Sequence, residues 1–349
     1  MATARERPAA GGGAHLALFD AATLLGKGVK ERLVERRFPV ASVHLYTSSA
    51  DPDANLSEYA GEAMLVNRPD IDALGPLDIA FYCGTRPEGA LYVDWPARRD
   101  FVAIDLTTAS RGAGRVPVVN ASVNPEALPQ GAGLVATPHP VALVLSTVLA
   151  AVKRGCGVRE ASAVVMQPAS ESGEEGISEL YQQTLGLLNF GELPREVFGR
   201  QVAFNLVPAD LYDASGPPGG GTASEIERDI VQVIGGGLDL SVAVVLAPVF
   251  HCHATVMRIV LPPGKGREDL QAALGTSEEI RLEPRDGRAT PVECAGRPGV
   301  LVDAIRPAGA AGAYWLWIVS DNLQSGSALN AVRIAEALWR RAAPPKGEA

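Results

Sequence analysis

The alternation of apolar and polar residues predicts a chain of short strands and amphipathic helices. The first ordered elements are an apolar strand over 15–19 and a helix over 21–36, in which apolar residues recur at helical spacing. A second strand follows over 42–47. A strand, a helix and a strand in this order indicate the start of a parallel sheet with helices on its faces.

A change of pattern divides the chain into two domains. Further strands over 77–83 and 101–106 continue the alternation with helices, which predicts an α/β domain with a Rossmann-like, doubly wound parallel sheet. From about Ala161 the strands lengthen, as over 161–167, 240–247 and 255–261. This second pattern predicts an α+β domain with a mostly antiparallel sheet.

One strand-like stretch, 242–259, carries polar residues that a buried strand does not need. It is rich in valine, yet it holds His251, Cys252 and His253 in succession. Because side chains alternate across a strand, we expect His251 and His253 on one face and Cys252 on the other. Two interpretations stay open: the histidines are hydrogen-bonded sheet residues, or one of them is a general base beside a cleft.

Glycine, proline and polar residues mark the ends of the ordered elements. Residues 1–14 are polar and rich in alanine and glycine, which predicts a flexible tail, and SGPPGGG over 215–221 predicts a mobile loop. The last helix is predicted over 323–341, beginning near Asp321 and Asn322.

Composition and charge restrict the class of protein and its partners. The 349 residues are 47% hydrophobic and 20% charged, which suits a globular protein of two domains. A formal charge of -9 without a basic block would repel nucleic acid and anionic membrane, so we expect neither as a partner. The four cysteines form no CxxC pair, which argues against a disulfide framework and predicts a reducing, cytoplasmic location.

Motifs along nearly the whole chain resemble the aspartate-semialdehyde dehydrogenase family. Residues 35–39 match its E-R-x-F-P-like turn, 105–111 its D-x-S-S-A-x-R-like segment, and 203–208 its A-F-N-x-x-P signature. The stretch 167–182 follows the family pattern Q-A-V-S-G-A-G-x-x-G-x-x-E-L, and the segment from Ser320 resembles the terminal helix signature most closely. A related arginine-pathway reductase family shares the fold, but these last two segments fit it less well.

The resemblance implies a homodimer of two-domain subunits. It assigns 15–140 and 321–349 to a Rossmann-like domain of the NAD(P)-binding type and 141–320 to a dimerisation and substrate domain. Family members reduce aspartyl phosphate to aspartate semialdehyde with NADPH through a thioester on a cysteine. A thiolate suits this reaction because it attacks an acyl phosphate and leaves after hydride transfer.

The nucleophile is the first family position that this sequence does not keep. The N-P-N-C-S-T-like motif, at the start of a helix, corresponds to 137–142, where Pro140 takes the place of the cysteine, or His139 if the alignment shifts by one residue. Neither forms a thioester, and proline is well accommodated in the first turn of a helix. We therefore expect the family reaction to be absent.

The resemblance keeps the general base but changes the substrate contacts. His253 matches the catalytic histidine, Gln167 matches the glutamine that orients the intermediate, and Leu246 replaces the arginine that grips the substrate carboxylate. Glu225 keeps the position that holds the amino group, whereas Glu227 replaces a phosphate-binding lysine and is expected to repel an anion. Arg111 matches the other phosphate-binding arginine, although an exposed loop arginine is the alternative interpretation.

The cofactor loop has lost most of its glycines. The family sequence G-A-T-G-x-V-G becomes 20–26 here, and only Gly26, the position for close helix packing, survives. Asp20 can cap the helix, but like charges about 4 Å apart repel by about 4 kcal/mol at an effective dielectric constant near 20. We expect Asp20 and the lost glycines to weaken binding of NADP, the implied cofactor. The cofactor positions are Ala21, Thr23, Leu24, Leu25, Gly26 and, on the nicotinamide side or as a helix cap, Asn322.

Three functions follow from these substitutions. The first is the family dehydrogenase. The second, which the lost positions favour, is a catalytically degenerate dimeric paralogue with a binding or regulatory role. The third is an oxidoreductase of changed substrate or mechanism that uses His253 and Gln167. A metal site at His139, His251, His253 and Cys252 is disfavoured because strand alternation brings only two of the histidines together, so we expect no metal.

Overall fold

The computed structural model describes residues 12–49, 56–112, 116–209, 222–282 and 289–342. The chain divides into unit 1, Met1–Thr137 with Ala328–Ala349, and unit 2, Pro138–Ser327. The sequence placed these boundaries at 140 and 321. The predicted loop over 215–221 and most of the predicted tail lie outside the described residues.

Unit 1 alternates strands and helices, as its hydrophobic pattern predicted. Its elements are β1 (Ala14–Phe19), α1 (Leu24–Glu35), β2 (Val40–Tyr46), β3 (Leu56–Tyr59), β4 (Glu62–Asn67), β5 (Ile79–Tyr82), α2 (Arg86–Ala90), α3 (Trp95–Arg99), β6 (Val102–Asp105) and β7 (Gly133–Ala136). The final helix of the chain, Ser327–Ala342, also packs here through its residues from Ala328 onward.

The unit 1 strands form one sheet in the order β3-β4-β2-β1-β5-β6-β7. Every neighbouring pair is parallel except the β3–β4 hairpin, which confirms the predicted Rossmann-like sheet. Alternate residues of β1 enter different cores: Leu16 and Leu18 pack with the helix residues Val29 and Leu33, and Phe19 joins an aromatic cluster on the opposite face. Burial on both faces explains why β1 is apolar throughout.

Both predicted helix starts in this unit were wrong by several residues. Helix α1 begins at Leu24 because the Thr23 hydroxyl accepts the Gly26 N–H at 3.1 Å, and Asp20, whose φ is +59°, lies outside the helix. The final helix begins at Ser327 rather than 323. The Asp321 carboxylate instead accepts the N–H groups of Leu323 and Gln324, which makes a turn.

Unit 2 combines one long sheet with helices that cover one of its faces. Its elements are α4 (Pro140–Gly155), β8 (Glu160–Gln167), α5 (Gly173–Asn189), β9 (Val207–Pro208), α6 (Thr222–Ile234), β10 (Asp239–Leu246), β11 (His253–Val260), α7 (Arg267–Leu274), β12 (Ile280–Leu282), α8 (Pro291–Cys294), β13 (Val300–Pro307) and β14 (Ala313–Ser320); the final helix, Ser327–Ala342, is α9.

The unit 2 strands run in the order β12-β13-β14-β11-β8-β10-β9. Four of the six neighbouring pairs are antiparallel, which confirms the predicted mostly antiparallel sheet. Helix α4 is buried along 141–152 and packs with α6 and α7 against the inward residues of β8, β10 and β11. Its nearly uniform apolar sequence follows from that burial.

The stretch 242–259 is not one strand, whereas the separate strands predicted over 240–247 and 255–261 are confirmed as β10 and β11. Strand β10 ends at Leu246 and β11 begins at His253, and the two strands lie on opposite sides of β8. Pro248 has no N–H to continue the ladder, and the carbonyls of Val249 and Phe250 accept N–H groups from Ala169 and Ser170. Cys252, with a φ of +73°, is the last residue of the segment that crosses from β10 to β11. Residues 251–253 therefore do not form an extended strand, and their side chains do not alternate between two faces as predicted.

In the part of the chain that the structure describes, no helix combines the length and the apolar character needed to cross a membrane.

Candidate functional site

The end of β8 in unit 2 gathers most of the chemically distinctive side chains. Gln167 is the last residue of β8, and a 3-10 turn over Ala169–Ser172 follows it directly. Ala254 pairs with Met166, so the same register brings His253 opposite Gln167. The start of α4 meets this point through His139. Three separate elements therefore place side chains at one end of the sheet.

His139 is held at the start of α4 by two hydrogen bonds. Its Nδ1 accepts the N–H of Val141 at 3.2 Å, so the imidazole is the N-cap of the helix, and Pro140 occupies the first helical position. Its backbone N–H donates to Asp229 Oδ2 of α6 at 2.7 Å. Of the two residues that the sequence matched to the nucleophile, Pro140 is thus the first helical residue and His139 is the helix cap.

Glu171 lies between two imidazoles. Its Oε1 is 3.5 Å from His139 Nε2, and its Oε2 is 3.3 Å from His253 Nε2. Both contacts are within ion-pair distance, although the contact with His253 does not have hydrogen-bond geometry. The Glu171 side chain is 15% exposed and that of His253 is 3% exposed.

Burial shifts the pKa values of Glu171 and His253. It raises the pKa of Glu171 from 4.5 to about 7, and it lowers the pKa of His253 from 6.5 to about 3. In both cases the charged form loses hydration in the protein interior. His253 is therefore neutral at pH 7, and Glu171 exchanges its proton near that pH.

Several buried polar atoms at this end of the sheet have no hydrogen-bond partner among the described residues. They are Gln167 Oε1, His251 Nδ1 and both ring nitrogens of His253. Each such atom costs about 1–3 kcal/mol if water does not reach it, so native proteins keep few of them. Their concentration distinguishes this end of the sheet from the rest of the described interior.

Three of the four predicted substrate positions lie on β10 and α6. Leu246, at the end of β10, packs into an apolar cluster with Leu180 and Val207. The Glu227 carboxylate accepts the backbone N–H of Val242 at 2.7 Å. Glu225 lies one helical turn before Asp229 and so on the same face of α6. The predicted side-chain contact of Arg111 lies outside the described part of the chain.

Asn322 does not cap α9, contrary to one of its two predicted roles. Its Oδ1 accepts a hydrogen bond from the Ser170 hydroxyl at 3.1 Å and one from the backbone N–H of Cys252 at 3.4 Å. These bonds join the turn after β8 to the crossing before β11. Asn322 therefore fixes two segments that flank Gln167 and His253.

Three backbone N–H groups of the predicted cofactor loop in unit 1 are bonded within the protein. The N–H groups of Ala21, Thr23 and Gly26 donate to Tyr46 O, Asp20 O and Thr23 Oγ1, so none of the three is directed to a phosphate. A Cβ at Gly26 would come within 2.7 Å of the Ala21 carbonyl, which explains why glycine is required there. The next residues, Leu24 and Leu25, open α1 with apolar side chains.

Two carboxylates meet beside this loop. Asp20 is buried, its Oδ1 accepts the N–H and the hydroxyl of Ser48 at 2.8 Å, and its Oδ2 has no partner among the described residues. A Cβ at Gly84 would lie 2.5 Å from Asp20 Oδ2 and 2.6 Å from Glu88 Oε2. Burial raises the pKa of Asp20, the Ser48 hydrogen bonds partly offset this, and Glu88 adds to it. This environment does not fit a pyrophosphate.

The four cysteines are all buried. Burial raises the pKa of Cys83 and of Cys156, and it raises the pKa of Cys252 to about 12. Cys294 is buried in a core cluster with Cys252. A thiol reacts as its thiolate, and these surroundings oppose ionisation. Within the described ranges no group of three or more His, Cys, Asp or Glu side chains is arranged to hold a metal ion.

The sequence reasoning missed Glu171, Asp229 and Glu88. Glu171 could have been found from the sequence, because it replaces the first glycine of the family pattern Q-A-V-S-G-A-G in the stretch that begins at Gln167. A carboxylate in a pattern of small residues, four positions after a retained glutamine, marks a changed site. Asp229 and Glu88 had no such signal, since only the fold brings them to His139 and Asp20.

Two family profiles match the chain. The profile for the semialdehyde dehydrogenase NAD binding domain matches residues 21–131, and the profile for the semialdehyde dehydrogenase dimerisation domain matches residues 149–325. The described folds of unit 1 and unit 2 agree with these assignments.

Individual relatives match almost the full length at low identity. The aspartate-semialdehyde dehydrogenase of Rickettsia conorii is 26% identical over 330 residues, which cover 93% of this chain and 97% of the relative. A USG-1 protein homolog from Azotobacter vinelandii is 29% identical over 337 residues, which cover 93% and 98%. The crystal structure of aspartate semialdehyde dehydrogenase II from Vibrio cholerae has a TM-score of 0.84 at 26% identity and covers 94% and 99%.

Proposed function

The chain belongs to the aspartate-semialdehyde dehydrogenase family, and from that premise we propose that it is a divergent member that has lost the family reaction. In this proposal it is a dimeric, catalytically degenerate paralogue with a binding or regulatory role. The main support is the start of α4, where His139 caps the helix and Pro140 follows it in place of a cysteine.

Loss of the cofactor is part of the same proposal. The unit 1 profile is described as an NAD binding domain, but here Asp20 and Glu88 converge where the pyrophosphate would approach the end of β1. The amide groups of Ala21, Thr23 and Gly26 are already bonded within the protein. Charge repulsion and the loss of these three donors both act against NADP.

The purified protein should not reduce NADP in the presence of phosphate and aspartate semialdehyde. Pro140→Cys alone should also give no turnover, because Leu246 supplies no charge for the substrate carboxylate and Glu227 replaces the phosphate-binding lysine. The measurement is absorbance of NADPH over time, with an active family member as positive control. Turnover by the unmodified protein would overturn the proposal, and robust turnover by Pro140→Cys would contradict this account of the cleft.

The open face of the unit 2 sheet supports the homodimer. The face opposite α4, α6 and α7 carries Val164, which is 44% exposed, and Trp315, which is 42% exposed. Val164 lies opposite Val256, and Trp317 lies beyond it in the same row, so the face is apolar across three strands. A patch of this kind is typical of an interface, and the matching profile is described as a dimerisation domain.

Val164→Glu should convert the dimer to a monomer in sedimentation velocity experiments. The new carboxylate would be desolvated in the interface, at a cost of several kcal/mol. Val34→Glu on α1 is the matched control, because Val34 is also 44% exposed but lies in unit 1. A dimer that survives Val164→Glu would show that another surface joins the subunits.

A second candidate function is an oxidoreductase of changed substrate that uses His253 and Gln167. The buried polar atoms without partners on these two residues favour it, since a decayed cleft tends to fill with apolar side chains or satisfied groups. Calorimetric titration with NADPH separates the candidates: micromolar binding supports the second and no binding at millimolar concentration supports the first.

We place the protein in the cytoplasm, since none of its four cysteines, all in the described part of the chain, forms a disulfide.

A further inference from the structure

Lys30 of α1 is a buried lysine whose hydrogen bond goes to a serine. Its residue is only 7% exposed, although a lysine is rarely buried this deeply unless a charged group pairs with it. The Nζ atom of Lys30 instead donates to the neutral hydroxyl of Ser57, in β3, at 2.5 Å. Helix α1 and the β3–β4 hairpin therefore bring a buried amine and a hydroxyl into direct contact.

The hairpin directs Ser57 toward α1. Ser57 pairs with Met64 of β4, so the two side chains share one face of the hairpin, and Tyr59 lies on that face as well. Met64 and Tyr59 pack against the core to which Val29 of α1 belongs. Lys30 follows Val29 and is enclosed by the same packing, whereas Ser57 is only half-buried. Solvent therefore reaches the hydroxyl more readily than the amine behind it.

The surroundings of Lys30 favour its neutral form. Burial lowers the pKa of Lys30, and the charge of Lys27, on the same helix, lowers it further. The carboxylates of Glu31 on α1 and Glu58 on β3 act in the opposite direction, as does Cys83 after β5. Burial has the largest effect, so Lys30 loses its proton more easily than a lysine in water.

A neutral Lys30 changes the direction of its hydrogen bond. An ammonium group only donates, whereas a neutral amine has a lone pair that accepts the hydrogen of the Ser57 hydroxyl. A hydroxyl is a weak nucleophile until a neighbouring base takes its proton, and a serine with a lysine is one of the known arrangements that achieve this. The contact at 2.5 Å already places the base within reach of that proton.

We propose that Ser57 and Lys30 form a serine–lysine pair that hydrolyses a neutral carboxylic ester. Ser57 Oγ attacks the carbonyl carbon while its proton moves to Lys30 Nζ, and the bond between that carbon and the alcohol oxygen then breaks. The leaving alcohol takes the proton back from Lys30. Water next attacks the acyl-serine with Lys30 as the base, which releases the carboxylic acid and restores the Ser57 hydroxyl. No group is oxidised or reduced.

The position of Ser57 in the sheet suits this reaction. Strand β3 is the outermost strand in the order of the unit 1 sheet, and every second N–H of an antiparallel edge strand points away from its neighbour. Such N–H groups can stabilise the oxyanion that forms when the carbonyl is attacked. The exposed carboxylates of Glu31 and Glu58 disfavour an anionic substrate. An ester is the matching class because its carbonyl is attacked more readily than that of an amide.

The test uses p-nitrophenyl acetate and the full-length chain. Release of p-nitrophenol is followed by absorbance, and the acetylated residue is located by mass spectrometry after rapid quenching. Ser57 should carry the acetyl group, and Ser57→Ala should lose the fast release. Ser42→Ala is the matched control, because Ser42 is also a half-buried strand residue and contacts His15 Nδ1 at 2.8 Å. Acetylation confined to lysine side chains, or unchanged release by Ser57→Ala, would overturn the proposal.

Lys30→Arg separates a base from a structural contact. Arginine keeps the positive charge and a donor for Ser57 but does not give up its proton. Acetylation of Ser57 should therefore slow on the order of 10²-fold or more, with the fold checked by circular dichroism. Full labelling of Ser57 in Lys30→Arg would show that Lys30 is not the base.

The pH dependence of the natural chain tests the same step without a variant. The rate of Ser57 acetylation should rise with pH and level off below pH 10.5, the ordinary pKa of a lysine. A rate that follows the hydroxide concentration over the whole range would contradict the role of Lys30. This activity lies in unit 1 and needs neither NADP nor the start of α4, so its failure and the failure of the proposed function are distinguishable.

Discussion

Glu171→Gln should be more stable than the natural chain at pH 8 and of similar stability near pH 4. The pKa of Glu171 is raised from 4.5 to about 7, so between these values the folded chain binds more protons than the unfolded chain. Its stability therefore falls as the pH rises through this interval, and above pH 7 the penalty is on the order of 3 kcal/mol. An uncharged glutamine removes that penalty.

Thermal unfolding at a series of pH values measures this effect. The variant should gain several degrees in Tm at pH 8, given about 2–4 °C per kcal/mol for a domain of this size. His253 has the opposite slope, because its pKa is lowered to about 3, but it is present in both proteins and cancels in the difference. Glu278→Gln, at an exposed position, is the charge-matched control. A variant that is less stable than the natural chain at pH 8 would show that Glu171 is a well-compensated ion.

Asp20→Asn should increase the affinity for NADPH by one to two orders of magnitude. The change removes a negative charge beside the end of β1, where repulsion of a phosphate about 4 Å away is worth up to about 4 kcal/mol. Asparagine tolerates the φ of +59° and keeps an oxygen for the N–H of Ser48. The backbone of the loop should therefore stay as it is.

Calorimetric titration with NADPH at low and moderate salt measures this gain. Asp72→Asn has the same net charge and changes an exposed residue of unit 1, so it controls for the long-range field. The gain in Asp20→Asn should shrink as salt rises. If Asp20→Asn binds no better than the natural chain and Asp20→Gly binds well, backbone freedom rather than charge excludes the cofactor. Micromolar binding by the natural chain would show that Asp20 is accommodated.

The sequence predicted the elements of both domains because their cores are periodic. The βαβ start was visible in the apolar residues of β1 and α1, and the second domain was visible in the strands around Gln167. The boundaries at Asp20 and Asp321 were missed for different reasons. Asp321 accepts N–H groups of its own turn, and this local bonding is as effective for a turn as for a helix cap. The Asp20 carboxylate instead accepts the N–H of Ser48, which is distant in the sequence.

The candidate site was only partly predictable from the sequence. His253 and Gln167 followed from the motif resemblance, and both have buried polar atoms without hydrogen-bond partners among the described residues. The neighbours of His139 could not be predicted, since Asp229 is 90 residues away in the chain and meets its backbone only through the packing of α4 on α6. The interpretation of Cys252 failed because Pro248 ends a ladder that valine-rich sequence alone would continue.

The uniform burial of α4 slows the exchange of its amide hydrogens and the rotation of the side chain bonded to its first turn. A helix enclosed along 141–152 exchanges its amide hydrogens only when its unit unfolds, so these amides should be among the slowest in hydrogen exchange. Exposed side chains change rotamer within nanoseconds. His139 is bonded to the first turn of this helix, so its imidazole keeps one orientation for as long as the fold lasts.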